Sequence, residues 1–243
     1  MSSPLRRYSR LQLPRPGHLL AAYPHPDDES FACAGVVALH TGAGYPATLL
    51  MGTRGELGRN MGLPPVAHRE TLSSIREKEV AEAARIAGYH EVLFLGGHDR
   101  LLEFLPRKPL VERILSLLRA KNPALVLTFH PLYGGHADHN AMGSLVTEAV
   151  VLWEKEGGNP ILLYNAGPNR PKDVDLPLLS VPAAAYIDLK EKALRAHYTQ
   201  TSSWMKELAA DPRQKARWER RFRYERFWVA RGPKGWMTST PPM

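Results

Sequence analysis

Imidazole and carboxylate side chains fall into four groups along the 243-residue chain. The first is His25-Pro26-Asp27-Asp28-Glu29-Ser30. The second is Thr53-Arg54-Gly55-Glu56, the third His98-Asp99-Arg100, and the fourth His136-Ala137-Asp138-His139. A catalytic zinc takes three protein ligands of nitrogen or oxygen type and keeps one position open. His25 and Asp28 are three residues apart at a turn entering a helix, so both can face one point. His139 completes a His-Asp-His set if the strands leading to the two groups are neighbours. Asp27, beside the pair, is then the base for a water activated by the metal. His136, three residues before His139, stands opposite it as acid or oxyanion stabiliser. A plainer reading stands beside this one. Asp27, Asp28 and Glu29 can simply cap the following helix and complement its dipole, and His-Ala-Asp-His can be a polar turn. The occurrence of both groups in one chain favours the metal site.

The elements that must position these residues can be read from periodicity. HLLAAYP (18–24), PATLLMGT (46–53), EVLFLGG (91–97), ALVLTFH (124–130) and ILLYNAG (161–167) are apolar runs of strand length. Between them lie helical segments at 29–42, 71–88, 110–120 and 139–157. Leu72, Ile75, Val80, Ala83, Ala84 and Ala87 line one side of the second, and Gly88 stands where a C-cap belongs. Steady alternation of strand and helix predicts an α/β fold, Rossmann-like, with a mostly parallel sheet and helices on both faces. Strands covered on both faces read as continuous apolar runs. Each chemical group follows the C-terminal end of a strand, the edge where such sheets bind ligands. After residue 168 the pattern loosens. A Pro-rich loop is expected over 168–182, a further strand at 184–189, and a helix from Lys190 to about Leu208.

Composition bounds the function. Hydrophobic residues make up 44% and charged residues 23%, which fits a folded globular chain. Cys33 is the only cysteine, so disulfide frameworks and Cys-rich zinc modules are excluded, and a metal must sit on His, Asp or Glu. No run approaches a membrane span, and the first residues lack the apolar core of a signal peptide. A cytoplasmic protein is the expectation. Net charge is +8. The densest basic run, residues 213–228, interleaves Arg217, Arg220, Arg221, Arg223 and Arg226 with Trp218, Phe222, Tyr224, Phe227 and Trp228. Such a mixture can track a phosphate backbone and stack bases. The favoured reading is an amphipathic segment whose aromatics pack on the domain and whose arginines are solvated or paired with Glu219 and Glu225. Gly52, Gly55 and Gly58 match neither the dinucleotide fingerprint nor the P-loop. His18, His40, His68, His90 and His197 lack a clustered acidic partner and read as ordinary residues; His130 is borderline.

These motifs resemble the PIG-L/LmbE superfamily of zinc-dependent N-acetylglucosaminide deacetylases. Pro24 to Glu29 is similar to the signature AHPDDE, and His136-Ala137-Asp138-His139 to the second signature, HPDH. Thr53 to Glu56, Arg76 with Glu79, Asp99, and His197-Tyr198-Thr199-Gln200 match further segments. Pro24 and Ala137 depart from the usual Ala and Pro. Gly58 to Gly62 and Arg69 to Leu72 look most like the bacillithiol-biosynthesis branch, whose members deacetylate N-acetylglucosaminyl malate.

The resemblance implies one Zn2+ per chain on His25, Asp28 and His139. It implies Asp27 as general base, with His136 and Asp138 beside it in catalysis. Arg54, Arg76 and Asp99 are expected in the substrate pocket, the arginines recognising an anionic aglycone. The expected partner is a small-molecule GlcNAc conjugate, with no nucleic acid and no membrane, acted on by a homo-oligomer. The domain reading is one α/β unit over 1–243 with a basic-aromatic extension from about 205. Rival readings are a Mg- or Mn-dependent phosphoester hydrolase, which would use a carboxylate-rich site, a nucleic-acid-binding protein and a nucleotide-binding module.

Overall fold

A computed structural model describes residue 13, residues 15–167, residue 171 and residues 174–232. The amino-terminal segment, part of the 168–182 loop and the tail from 233 lie outside the described residues. The expected alternation is present: β1 (His18–Tyr23), α1 (Asp28–Gly42), β2 (Ala47–Met51), α2 (Arg69–Ala87), β3 (Glu91–Phe94), α3 (Arg107–Lys121), β4 (Pro123–Phe129), α4 (Ala137–Lys155) and β5 (Ile161–Asn165). Then come β6 (Leu178–Pro182), α5 (Ile187–Ala196), α6 (Tyr198–Ala210), α7 (Pro212–Phe222) and β7 (Tyr224–Arg231).

The strands form one sheet in the order β3-β2-β1-β4-β5-β7-β6. β1 pairs in parallel with both β2 and β4. The chain therefore builds outward from β1 to β3 on one side, returns, and builds outward from β4 on the other. The carboxyl ends of β1 and β4 flank that reversal, the point where such sheets open a crevice for ligands. Side chains along β1 alternate between faces. Leu19, Ala21 and Tyr23 join the core under α1 and α2, and Leu20 and Ala22 join the core under α3 and α4. All five are buried, which explains the continuous apolar run. Gly88 closes α2 at φ +92°, and a Cβ there would lie 2.4 Å from Thr41 Oγ1, so both backbone and packing require glycine.

The carboxyl-terminal third departs from expectation. Residues 184–189 are not a strand: a 3-10 turn, Ala184–Tyr186, runs into α5. Lys190, Ala193 and Leu194 are the buried positions of α5, a helical spacing that overrides the short apolar run. The single helix expected to Leu208 breaks at His197, whose ψ is +51°, into α5 and α6. β6 occupies the expected Pro-rich loop. Leu179 and Val181 point inward and Ser180 and Pro182 outward, and Pro182 is tolerated because β6 is an edge strand.

The basic-aromatic run is divided between α7 and β7. β7 lies antiparallel between β5 and β6, so this segment is built into the sheet. Phe227 enters one core and Trp228 the other, while Trp218 packs in a third cluster with Leu194, Met205 and Leu208. These rings pack on the domain, as favoured, and are not offered to stacking bases. Glu225 is paired with Lys190 at 2.7 Å and not with the arginines. Among the described residues no helix is long and apolar enough to cross a membrane.

Candidate active site

The loops after β1, β2, β3 and β4 meet at the carboxyl edge of the sheet. His25 follows β1 and is 12% exposed at its side chain. Its Nδ1 lies 3.4 Å from Asp28 Oδ2, and Asp28 Oδ1 lies 3.3 Å from His139 Nε2. The far nitrogen of each ring is anchored. His25 Nε2 donates to Asp138 Oδ2 at 2.9 Å and lies 3.2 Å from Asp99 Oδ1. His139 Nδ1 donates to Gly134 O at 2.8 Å, and its ring stacks on Phe129 with centroids 4.0 Å apart. Both imidazoles thus keep their anchored N–H away from Asp28 and turn the other nitrogen toward its carboxylate. Carboxylate- and carbonyl-anchored imidazoles around a third acid ligand are the pattern that holds a divalent metal.

Electrostatics make the same demand for positive charge. Burial disfavours a charged His25, but the hydrogen bonds to Asp138, Asp28 and Asp99 outweigh it and raise its pKa to about 12. Burial likewise opposes protonation of His139, and Asp28 raises it. Against the burial that would raise it, Asp28 is held well below the carboxylate range by His139 and His25. A cation among these three donors satisfies what the paired imidazoles otherwise satisfy by protonation. The donor set fits zinc. Among the described residues two groups bring three donor atoms within 4.8 Å of one another: His25, His136 and His139, which share two imidazoles with this set, and His25, Asp99 and Asp138, whose contacts use the His25 nitrogen that carries the anchoring proton.

Asp27 sits at the amino terminus of α1 with φ +123°, a conformation an L residue adopts only when its surroundings enforce it. Two groups enforce it. Glu29 Oε2 accepts the Asp27 N–H at 3.0 Å, and Arg76 donates to the preceding carbonyl, Pro26 O, while lying 3.5 Å from Asp27 Oδ2. Burial raises the Asp27 carboxyl and Asp28 adds to it, with Arg76 opposing, to leave it at about 7. A carboxylate poised there is matched to proton transfer near neutral pH.

His136 lies on the open side, its ring centroid 5.2 Å from His25 and 5.3 Å from His139. Its Nδ1 accepts the Asp138 backbone N–H at 3.1 Å, so the neutral ring carries its proton on Nε2. Burial and the neighbouring imidazoles lower its pKa, which keeps it neutral and a hydrogen-bond donor.

The remaining expected site residues are placed differently. Asp138 is fully buried behind His25 and also accepts from the Arg100 and Leu102 backbone N–H groups, so its contacts are those of a group that orients the ring. Asp99 is buried too, its Oδ2 held by Leu57 N at 2.9 Å. Its Oδ1 lies 3.2 Å from His25 Nε2, so it buttresses that ring. Arg76 is only 3% exposed and donates to Gly55 O and Pro26 O. Its guanidinium lies where a Gly55 Cβ would come within 2.2 Å, so Gly55 (φ +64°) is required for the clamp. Arg54 lies on the surface, paired with Glu77 and set over the Phe94 ring at 5.1 Å. Neither arginine has the free, pocket-facing guanidinium that anion recognition needs.

His197, read as an ordinary residue, and Glu29, read as a helix-capping acid, meet across the chain. His197 Nε2 meets Glu29 Oε1 at 2.7 Å in a fully buried pair. The available signal was the Glu that follows the two aspartates and the His-Tyr-Thr-Gln segment, which are separated by 168 positions.

An imidazole–carboxylate centre at the topological switch point of a mostly parallel sheet defines an α/β protein with a candidate cation site. The chain belongs to the PIG-L family: the family model described as GlcNAc-PI de-N-acetylase matches residues 20–150, which include all the residues of this centre. A Bacillus cereus protein described as a probable N-acetyl-alpha-D-glucosaminyl L-malate deacetylase 2 is 36% identical over 216 residues, 87% of this chain and 97% of that protein. The structure of N,N'-diacetylchitobiose deacetylase from Pyrococcus horikoshii superposes with a TM-score of 0.66 at 22% identity, over 88% of this chain and 83% of that one, and shares the fold. A conserved protein of Thermus thermophilus superposes with a TM-score of 0.66 at 27% identity, over 92% and 99% of the two chains.

Proposed function

We propose that this protein removes the acetyl group from an N-acetylglucosamine conjugate of the N-acetylglucosaminyl malate type, releasing acetate and a free amine. The observation that carries the reading is the facing of two anchored imidazoles on Asp28 with Asp27 alongside, in a chain 36% identical to a protein described as such a deacetylase. His25, Asp28 and His139 are the residues to hold the metal, with zinc the best match to two nitrogens and one carboxylate. When bound, that ion supplies Lewis acidity, which acidifies water and polarises the acetamide carbonyl.

The chain's own groups do the rest. Asp27, with a pKa near 7, takes the proton of the attacking water. The strained Asp27 backbone is held by Glu29 and Arg76, so the base needs no rearrangement to act. The carbonyl oxygen gains negative charge as water adds, and the Nε2–H of neutral His136, whose Nδ1 accepts from Asp138 N, is assigned as its donor. The C–N bond then breaks as the nitrogen receives a proton, which Asp27 is positioned to return.

The test is acetate release from zinc-loaded protein offered a panel of GlcNAc conjugates. Release from N-acetylglucosaminyl malate that stops on chelation is expected. Failure to release acetate from any member would overturn the reading.

A further inference from the structure

Taking the deacetylase reading as its basis, we infer that Arg221 and Arg226 recognise the anionic aglycone of the substrate. A cleft of about 350 Å³ opens beside the metal-site residues, within the usual size range of small-molecule sites. Asp28 and His139 line it together with Arg221, Phe222, Tyr224 and Arg226. The cleft therefore joins the reacting centre to the segment between the end of α7 and the start of β7.

Both arginines are available. Each is exposed, and neither makes an ion pair with any described residue. Each is pre-positioned by an aromatic ring of the cleft. The Arg221 guanidinium lies 5.5 Å from the Phe222 ring centroid, and that of Arg226 lies 5.9 Å from Tyr224. The acid that also lines the cleft, Glu225, does not cancel their charge. Its two oxygens are occupied by the backbone N–H groups of Gly35 and Val36 and by the Lys190 ammonium, all at 2.7–2.9 Å. A free, planar guanidinium stacked on a ring is the side chain suited to bidentate carboxylate binding. The contrast with Arg54 and Arg76 is direct, since those two are already paired or buried.

The test compares kcat/KM on two substrates, N-acetylglucosaminyl malate and the neutral methyl glycoside of N-acetylglucosamine. Wild type, Arg221→Gln, Arg226→Gln and the double variant are measured, with metal content checked. The double variant is expected to lower the ratio of acidic to neutral kcat/KM by about tenfold or more, through KM on the acidic substrate. Arg226→Lys, which keeps the charge, should recover part of the ratio. A ratio unchanged in the double variant would show a merely structural role and overturn the inference, leaving the deacetylase reading in place. Wild type inactive on both substrates would overturn that reading and the inference with it.

Discussion

His197 Nε2 is 2.7 Å from Glu29 Oε1, and neither side chain meets solvent. The pair ties the junction of α5 and α6 to the turn that carries Asp27, because the other Glu29 oxygen accepts the Asp27 N–H. Removing one member leaves the other a buried, uncompensated charge. His197→Ala should destabilise the fold by about 3–5 kcal/mol and lower kcat, as measured by denaturant titration and steady-state kinetics. A loss of stability below about 0.5 kcal/mol, the scale of ordinary surface substitutions, would show the pair is unimportant.

The same pair has a pH signature. Against the effect of burial, Glu29 pulls the His197 pKa above its ordinary 6.5, and His197 pulls Glu29 below its ordinary 4.5. The raised imidazole contributes stability fully present below pH 6.5 and lost as pH rises through its folded pKa. The depressed carboxyl contributes stability present above pH 4.5 and lost as pH falls through its folded pKa. The stability difference between wild type and His197→Gln should therefore be greatest between pH 4.5 and 6.5. Denaturant midpoints measured from about pH 3 to about pH 9 decide it; a flat difference would contradict the linkage.

Metal content should follow the ligand geometry. Purified protein is expected to hold about one zinc per chain, and His25→Ala or His139→Ala to lose it. Asp138→Asn should weaken metal affinity by about 10–100-fold, the usual scale for a group that orients a ligand. Elemental analysis and competition with a chelating dye measure both. Full zinc in His139→Ala would remove His139 from the ligand set.

Asp27 should separate from Asp28. Asp27→Asn is expected to retain the metal and lose about 10²-fold or more in kcat. Loss of metal with activity would mean the two aspartates have exchanged roles.

Arg76→Ala should act through the base and not through substrate recognition. It strips Gly55 O and Pro26 O of their donor and releases the strained Asp27 turn. Two charge-assisted hydrogen bonds at about 1.5–3 kcal/mol each put the stability cost at about 3 kcal/mol or more. kcat should fall by the same factor on acidic and neutral conjugates. A selective loss on the acidic one would return Arg76 to the substrate pocket.

The local pattern alone determined much of this protein. Continuous apolar strands alternating with helical periods require a sheet covered on both faces, and β1 to β5 lie where that pattern puts them. His25, Asp27 and Asp28 were legible because they share one turn, and His136 and His139 because they share another. What the tertiary structure decided is everything that depends on contact across the chain. The pairing of β1 with β4 brings His139 to Asp28. Arg76 and Asp99, expected in the pocket, and Asp138, expected beside the base in catalysis, are buried as supports, since exposure is set by neighbours distant in sequence. β7 reads as a charge run because its exposed arginines dominate composition. Only its insertion between β5 and β6 shows Phe227 and Trp228 facing opposite cores and Arg226 facing the cleft. Period-two alternation in a strand says which residues share a face, but not which face meets the core and which the ligand.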